Sequence, residues 1–96
     1  MSLRIIVTPK GEETFNLIST QLLERWGEEY VIRFQAKVEK SIQGILISPN
    51  IYPVAEEHTG LRKCVLHKTC SMFYKVDNDV ILIAYFWDNR QDPIFT

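Results

Sequence analysis

The sequence predicts an α+β domain of order β-α-α-β-β-β, with a helical hairpin packed on a small antiparallel sheet. Three observations carry this. Two long stretches of helical periodicity meet at Gly27, three β-rich stretches follow one another after Gly60, and a short β-branched run precedes both helices.

The opening run, Leu3-Arg4-Ile5-Ile6-Val7, reads as a strand. Thr8 can cap the free amides of the helix that follows, and Pro9 suits its first position because the missing N–H has no partner there anyway. Glu12 and Glu13 fall in the first turn, where the helix dipole favours negative charge. Phe15, Ile18, Leu22 and Trp26 recur at helical spacing as an apolar stripe, and Gly27 ends the helix. A second helix runs from Glu28 to Ile47. Its apolar stripe is Val31, Phe34, Val38, Ile42 and Ile45, with Arg33, Lys37 and Lys40 on another face. Ser48-Pro49 stops it. The short connection at Gly27 makes the pair an antiparallel hairpin.

Pro49 to Gly60 has no period and reads as a loop. Strands are predicted at Leu61–His67, Ser71–Val76 and Val80–Trp87, with Asp77-Asn78-Asp79 as the turn between the last two. The last strand, Val80-Ile81-Leu82-Ile83-Ala84-Tyr85-Phe86-Trp87, does not alternate. A strand with one wet face alternates, so both of its faces call for cover. One hairpin supplies a single face. The loop and tail, or a partner chain, must supply the other.

The chain has 96 residues, of which 46% are hydrophobic and 24% charged, consistent with one globular domain over residues 1–96. Its longest apolar run, Val80 to Trp87, is too short to span a membrane. No signal peptide is visible, and the expected compartment is the cytoplasm. Eleven basic residues against twelve acidic ones give a net charge of -1. This disfavours broad electrostatic capture of nucleic acid. Cys64 and Cys70, the two cysteines, are too few for a disulfide framework or a four-cysteine zinc site. Dinucleotide, Walker, nucleophile-elbow and zinc motifs are all absent, and no cofactor or metal is expected.

The densest basic segment is Arg62, Lys63, His67 and Lys68. Strand alternation puts Arg62 and Lys68 on one face and Lys63 and His67 on the other, unless a bulge intervenes. These charges suit contact with phosphate or with acidic side chains. They equally suit a solvated edge strand protected by charge. Arg90, between Asp88 and Asp92, can hold a carboxylate or phosphate by paired hydrogen bonds, or can be clamped by those two neighbours. Tyr74 is expected in the core with its hydroxyl at the rim. His58 and His67 read as surface or hairpin histidines.

Three segments, in this order, resemble the C-terminal half of ParE/RelE-family toxins of bacterial type II toxin–antitoxin (plasmid stabilisation) systems. They are Gly60-Leu61-Arg62-Lys63, Met72-Phe73-Tyr74-Lys75-Val76-Asp77 and Phe86-Trp87-Asp88-Asn89-Arg90-Gln91-Asp92-Pro93. With the β-α-α-β-β-β order, the resemblance extends from Arg4 to Pro93. It implies a cognate antitoxin that covers part of the surface, and one of two actions.

A ParE-like member poisons DNA gyrase by protein contact. On that reading Arg62, Lys68, Tyr74 and Arg90 are the contact or positioning residues. A RelE-like member cuts messenger RNA in the ribosome without a metal, and Arg62, Lys63 and Arg90 would then serve catalysis. The Arg90-Gln91-Asp92-Pro93 ending resembles the ParE branch. Phe95 stands where a nuclease would place a tyrosine, and a phenyl ring transfers no proton. The first expectation is therefore a ParE-like toxin. The alternatives are the RelE-like nuclease and a degenerate, non-toxic binding module. A homodimer is also open, because a second copy can cover an apolar strand face.

Overall fold

Strand β1 (Arg4–Val7) leads directly into helix α1 (Pro9–Trp26), and α2 (Glu28–Ile47) returns beside it. Strands β2 (Arg62–His67), β3 (Cys70–Asp77) and β4 (Val80–Asp88) complete the order β-α-α-β-β-β. The structure is a computed structural model describing residues 3–56, 60–67 and 69–89. The two helices pack on a four-stranded sheet of order β1-β4-β3-β2.

Antiparallel pairing joins β2 to β3 and β3 to β4, as expected. The sheet as a whole is mixed, because β1 pairs with β4 in parallel, Arg4 opposite Val80 through Val7 opposite Ile83. This direction delivers the chain from Val7 straight onto the middle of β4, where α1 begins. The β3–β4 turn uses Asn78 at φ 56°, in the left-handed region that asparagine tolerates. Gly27, between the helices, takes φ 96°. Its amide reaches the carbonyls of Leu22 and Leu23 and so closes the end of α1.

β4 carries a bulge. Ile83 lies opposite Tyr74 and Tyr85 opposite Phe73, leaving Ala84 as an extra residue. A bulge breaks the ladder and strands backbone polar groups. The start of α1 takes them up. The Thr8 amide donates to Ile83 O at 3.1 Å. The Thr8 hydroxyl donates to Ala84 O at 2.7 Å and accepts from the Gly11 amide at 2.9 Å, which caps the helix. One turn later, Thr14 Oγ1 accepts from the Phe86 amide at 2.9 Å. Gly11 permits the close approach, since a Cβ there would lie 2.7 Å from Ile83 O and 2.9 Å from Val7 Cγ1.

The core lies between hairpin and sheet. Phe15, Phe34 and Phe86 form a three-ring cluster with centroids 5.3, 5.4 and 6.1 Å apart. Ile18, Val38, Ile45, Met72, Ile81 and Ile83 surround it. Along β4, Ile81, Ile83 and Phe86 are buried on this side. Val80, Leu82, Tyr85 and Trp87 are half-buried, so the second face of the strand is partly covered. Trp26 departs from its predicted place in the α1 stripe, because it is 56% exposed at the tip of the hairpin.

Two outcomes follow from the docking of α1 on β4. Replacing Gly11 by alanine pushes a methyl against backbone and should lower the stability by about 1–3 kcal/mol. Replacing Thr14 by valine leaves the Phe86 amide without its acceptor and should cost about 1–3 kcal/mol. Urea unfolding of the two variants against the parent chain measures both.

Candidate functional site

Of the residues singled out from the sequence, Arg62, Lys63, Tyr74 and His67 lie within the described structure. Lys68, Arg90, His58 and the tail from Arg90 onward lie outside the described residues.

Arg62 and Tyr74 are cross-strand partners on β2 and β3. They share a face with Cys64 and Met72, which are buried beneath the helices. Tyr74 is itself fully buried, and its hydroxyl donates to Pro49 O at 2.8 Å. The Arg62 guanidinium donates through Nη1 to Tyr52 O at 2.7 Å. The Tyr52 ring meets Tyr74 edge-on, with centroids 6.4 Å apart. These contacts bind the segment after α2 to the sheet. Ala55 N to Leu61 O (2.7 Å) and Lys63 N to Pro53 O (3.0 Å) continue the attachment along the edge of β2. Residues 49–56 of the segment predicted as a loop thus form a strap held to the sheet, and Arg62 and Tyr74 are two of its anchors.

The environment of this cluster shifts both phenols the same way. Burial, above all, raises the Tyr74 hydroxyl beyond its ordinary value of 10.0, while the Tyr52 amide and the Arg62 charge pull downward. Tyr52 is raised chiefly by a hydrogen bond with the Cys64 thiol and then by burial, with Ser41 opposing.

Lys63 points the other way. Its Nζ lies 5.7 Å from the centroid of Phe73, on the sheet face away from the helices. Phe73 stacks on Tyr85 at 4.8 Å. Tyr85 was not singled out from the sequence, because nothing in an unbroken apolar run separates it from its neighbours. The structure therefore keeps Arg62 and Tyr74 together and puts Lys63 on the opposite face.

His67 was expected beside Lys63. A register shift between Val65 and His67 instead sets His67 opposite Cys70, and it lines a groove with Leu66 on the helix side. Its Nδ1 is 3.0 Å from Thr69 Oγ1 and belongs to the local turn. Among the described residues, no group of three or more His, Cys, Asp or Glu side chains is arranged to hold a metal ion. No helix among them is long and apolar enough to cross a membrane.

Neither a family model nor a curated relative matches the chain. Solved structures do. A chain from the chromosomal ParDE toxin–antitoxin system of Pseudomonas aeruginosa superposes with TM-score 0.76 at 16% identity, covering 91% of this chain and 96% of that one. A chain of the Staphylococcus aureus YoeB dimer gives TM-score 0.65 at 15% identity, covering 91% and 97%. A chain of the Mycobacterium tuberculosis RelBE2 toxin–antitoxin complex gives 0.62 at 14%, covering 92% and 99%. The fold is that of ParE/RelE-type toxins, as the sequence resemblance implies.

The raised phenols have a measurable consequence. Both hold their protons more tightly in the folded chain, so their contribution to stability is complete below about pH 10 and is lost as pH rises through the folded-state values. The urea midpoint should therefore fall between pH 9 and pH 11. Tyr74→Phe should flatten that fall and, at pH 7, cost about 0.5–1.5 kcal/mol through the lost bond to Pro49.

Proposed function

We propose that this chain is the toxin of a type II toxin–antitoxin pair, and that it acts in the ParE-like manner. It binds DNA gyrase through protein contact, and a cognate antitoxin neutralises it. The observation that carries this reading is the disposition of Arg62, Lys63 and Tyr74. Metal-free cleavage of RNA needs a proton donor, a proton acceptor and cationic charge converging on one phosphate. Here the buried Tyr74 hydroxyl is committed to Pro49 O and the Arg62 guanidinium to Tyr52 O. Lys63 stands on the opposite face. The likeness to a ParDE chain supports the same reading.

The RelE-like reading has one observation in its favour. Lys63 and the half-buried phenol of Tyr85 stand on the outer sheet face beside the buried Phe73 ring. A phenol is a competent proton donor.

Inducing the chain alone in a bacterial host tests the proposal. The expected result is loss of viable cells, inhibition of gyrase supercoiling by the purified chain, and intact transcripts in the arrested cells. Cleaved transcripts that become intact with Tyr85→Phe and Lys63→Ala would move the assignment to the nuclease. Growth unaffected at every level of expression would leave a non-toxic binding module. In the ParE-like case, Arg90→Ala should remove toxicity and leave the circular dichroism of the chain unchanged.

A further inference from the structure

The outer face of the sheet is buried unevenly. Both helices pack on the other face, where they share one core with Met72, Tyr74, Ile81, Ile83 and Phe86. Along the outer face of β3, Ser71 is fully buried and Phe73 is 4% exposed, whereas Lys75 and Asp77 are exposed. On β4, Trp87 and Tyr85 lie opposite Ser71 and Phe73 and are half-buried. The covered patch therefore lies over β3 and β4, at the end of the sheet where β4 finishes.

The side chains of the strands do not account for this cover by themselves. They stand roughly perpendicular to the sheet, so neighbours shield their flanks rather than their tips. Lys63 and Tyr85 flank Phe73 in this way. The strap of residues 49–56 follows the edge of β2. Val65 lies between that edge and Ser71, and it is 57% exposed. We propose that the chain leaving β4 folds back over the patch, and that Ile94 and Phe95 seat against Phe73, Tyr85 and Trp87.

Position, reach and composition select this segment. The residues outside the described ones are 1–2, 57–59, 68 and 90–96. Residues 57–59 and 68 are Glu-His-Thr and Lys, with no apolar side chain to offer. Met1 and Ser2 precede β1, whose Arg4 lies opposite Val80 at the far end of β4. Residues 90–96 follow Asn89, which is fastened to the border of the patch. Its amide donates to Thr69 O at 2.6 Å and its side-chain amide to Ser71 Oγ at 3.2 Å. Tyr85 lies four residues back, roughly 13 Å along the strand. The six residues from Asn89 to Phe95 span at most about 20 Å, enough to return that far. Pro93 suits the reversal, and Ile94-Phe95 then supplies apolar side chains to an aromatic platform. Docked there, the segment caps the side of the sheet that carries Lys63 and Tyr85, and a partner for that side has to displace it.

Nuclear magnetic resonance of the full chain tests the proposal, which is independent of the toxin's target. The expected result is nuclear Overhauser contacts from the Phe95 ring to Phe73, Tyr85 or Trp87. In a mixture of labelled and unlabelled chain, these contacts stay within one molecule. A W26F background leaves Trp87 as the one tryptophan. In that background I94A/F95A should red-shift the Trp87 emission and raise its quenching by acrylamide, with unchanged circular dichroism. Absence of the contacts in the parent chain overturns the proposal. So do contacts that pass between two copies, or a Trp87 emission indifferent to I94A/F95A.

Discussion

The arrangement depends on one junction, the seating of the first turn of α1 on the bulge of β4. The extra residue Ala84 leaves carbonyl and amide groups in the middle of the sheet without ladder partners. An unpaired buried backbone group costs about 1–3 kcal/mol. Thr8, at the N-cap, and Thr14, in the second turn of α1, answer those groups. Gly11 lies between them and lets the helix come close enough to do so. The parallel pairing of β1 with β4 is part of the same junction, because it brings Thr8 to the bulge without any intervening loop. Once α1 is fixed there, Phe15 meets Phe86, Phe34 of α2 closes on both rings, and the hairpin takes its position over the sheet.

The bulge also governs what each sheet face presents. It shifts the alternation of β4, so that Ile81, Ile83 and Phe86 all reach the core while Tyr85 stays outside with Phe73. The shift between Val65 and His67 does the same on β2 and turns His67 from the company of Lys63 to the groove beneath the hairpin. The basic cluster of the sequence is thereby divided. Arg62, with Tyr74, secures the strap that follows α2, and Lys63 alone among the described candidates faces outward beside an aromatic pair.

How much of this is legible in the sequence follows from how local each determinant is. The limits of α2 are readable because Gly27 and Ser48-Pro49 punctuate them, and its buried face because Phe34, Val38 and Ile45 repeat at helical spacing. The cap at Thr8-Pro9 is readable for the same reason. The parallel direction of β1 is not, since its partner lies more than seventy residues away and no local signal names it. The bulge at Ala84 is invisible within a run that is apolar on both faces, and so the later burial of Phe86 and exclusion of Tyr85 cannot be assigned. Trp26 fits the period of α1, yet it lies past the end of the sheet's cover and projects into solvent. The roles of Arg62 and Tyr74 are half legible. Their residue types mark them as special, but the strap they hold shows no pattern of its own.

The most direct measurement of the central junction is native-state hydrogen exchange at the Phe86 amide. Its acceptor is the Thr14 hydroxyl rather than a strand neighbour. If the seating of α1 on the bulge organises the fold, this amide exchanges only on global unfolding, as slowly as the best protected amides of β3. Exchange through local opening, well ahead of those amides, would contradict the account and make the junction a late and dispensable contact.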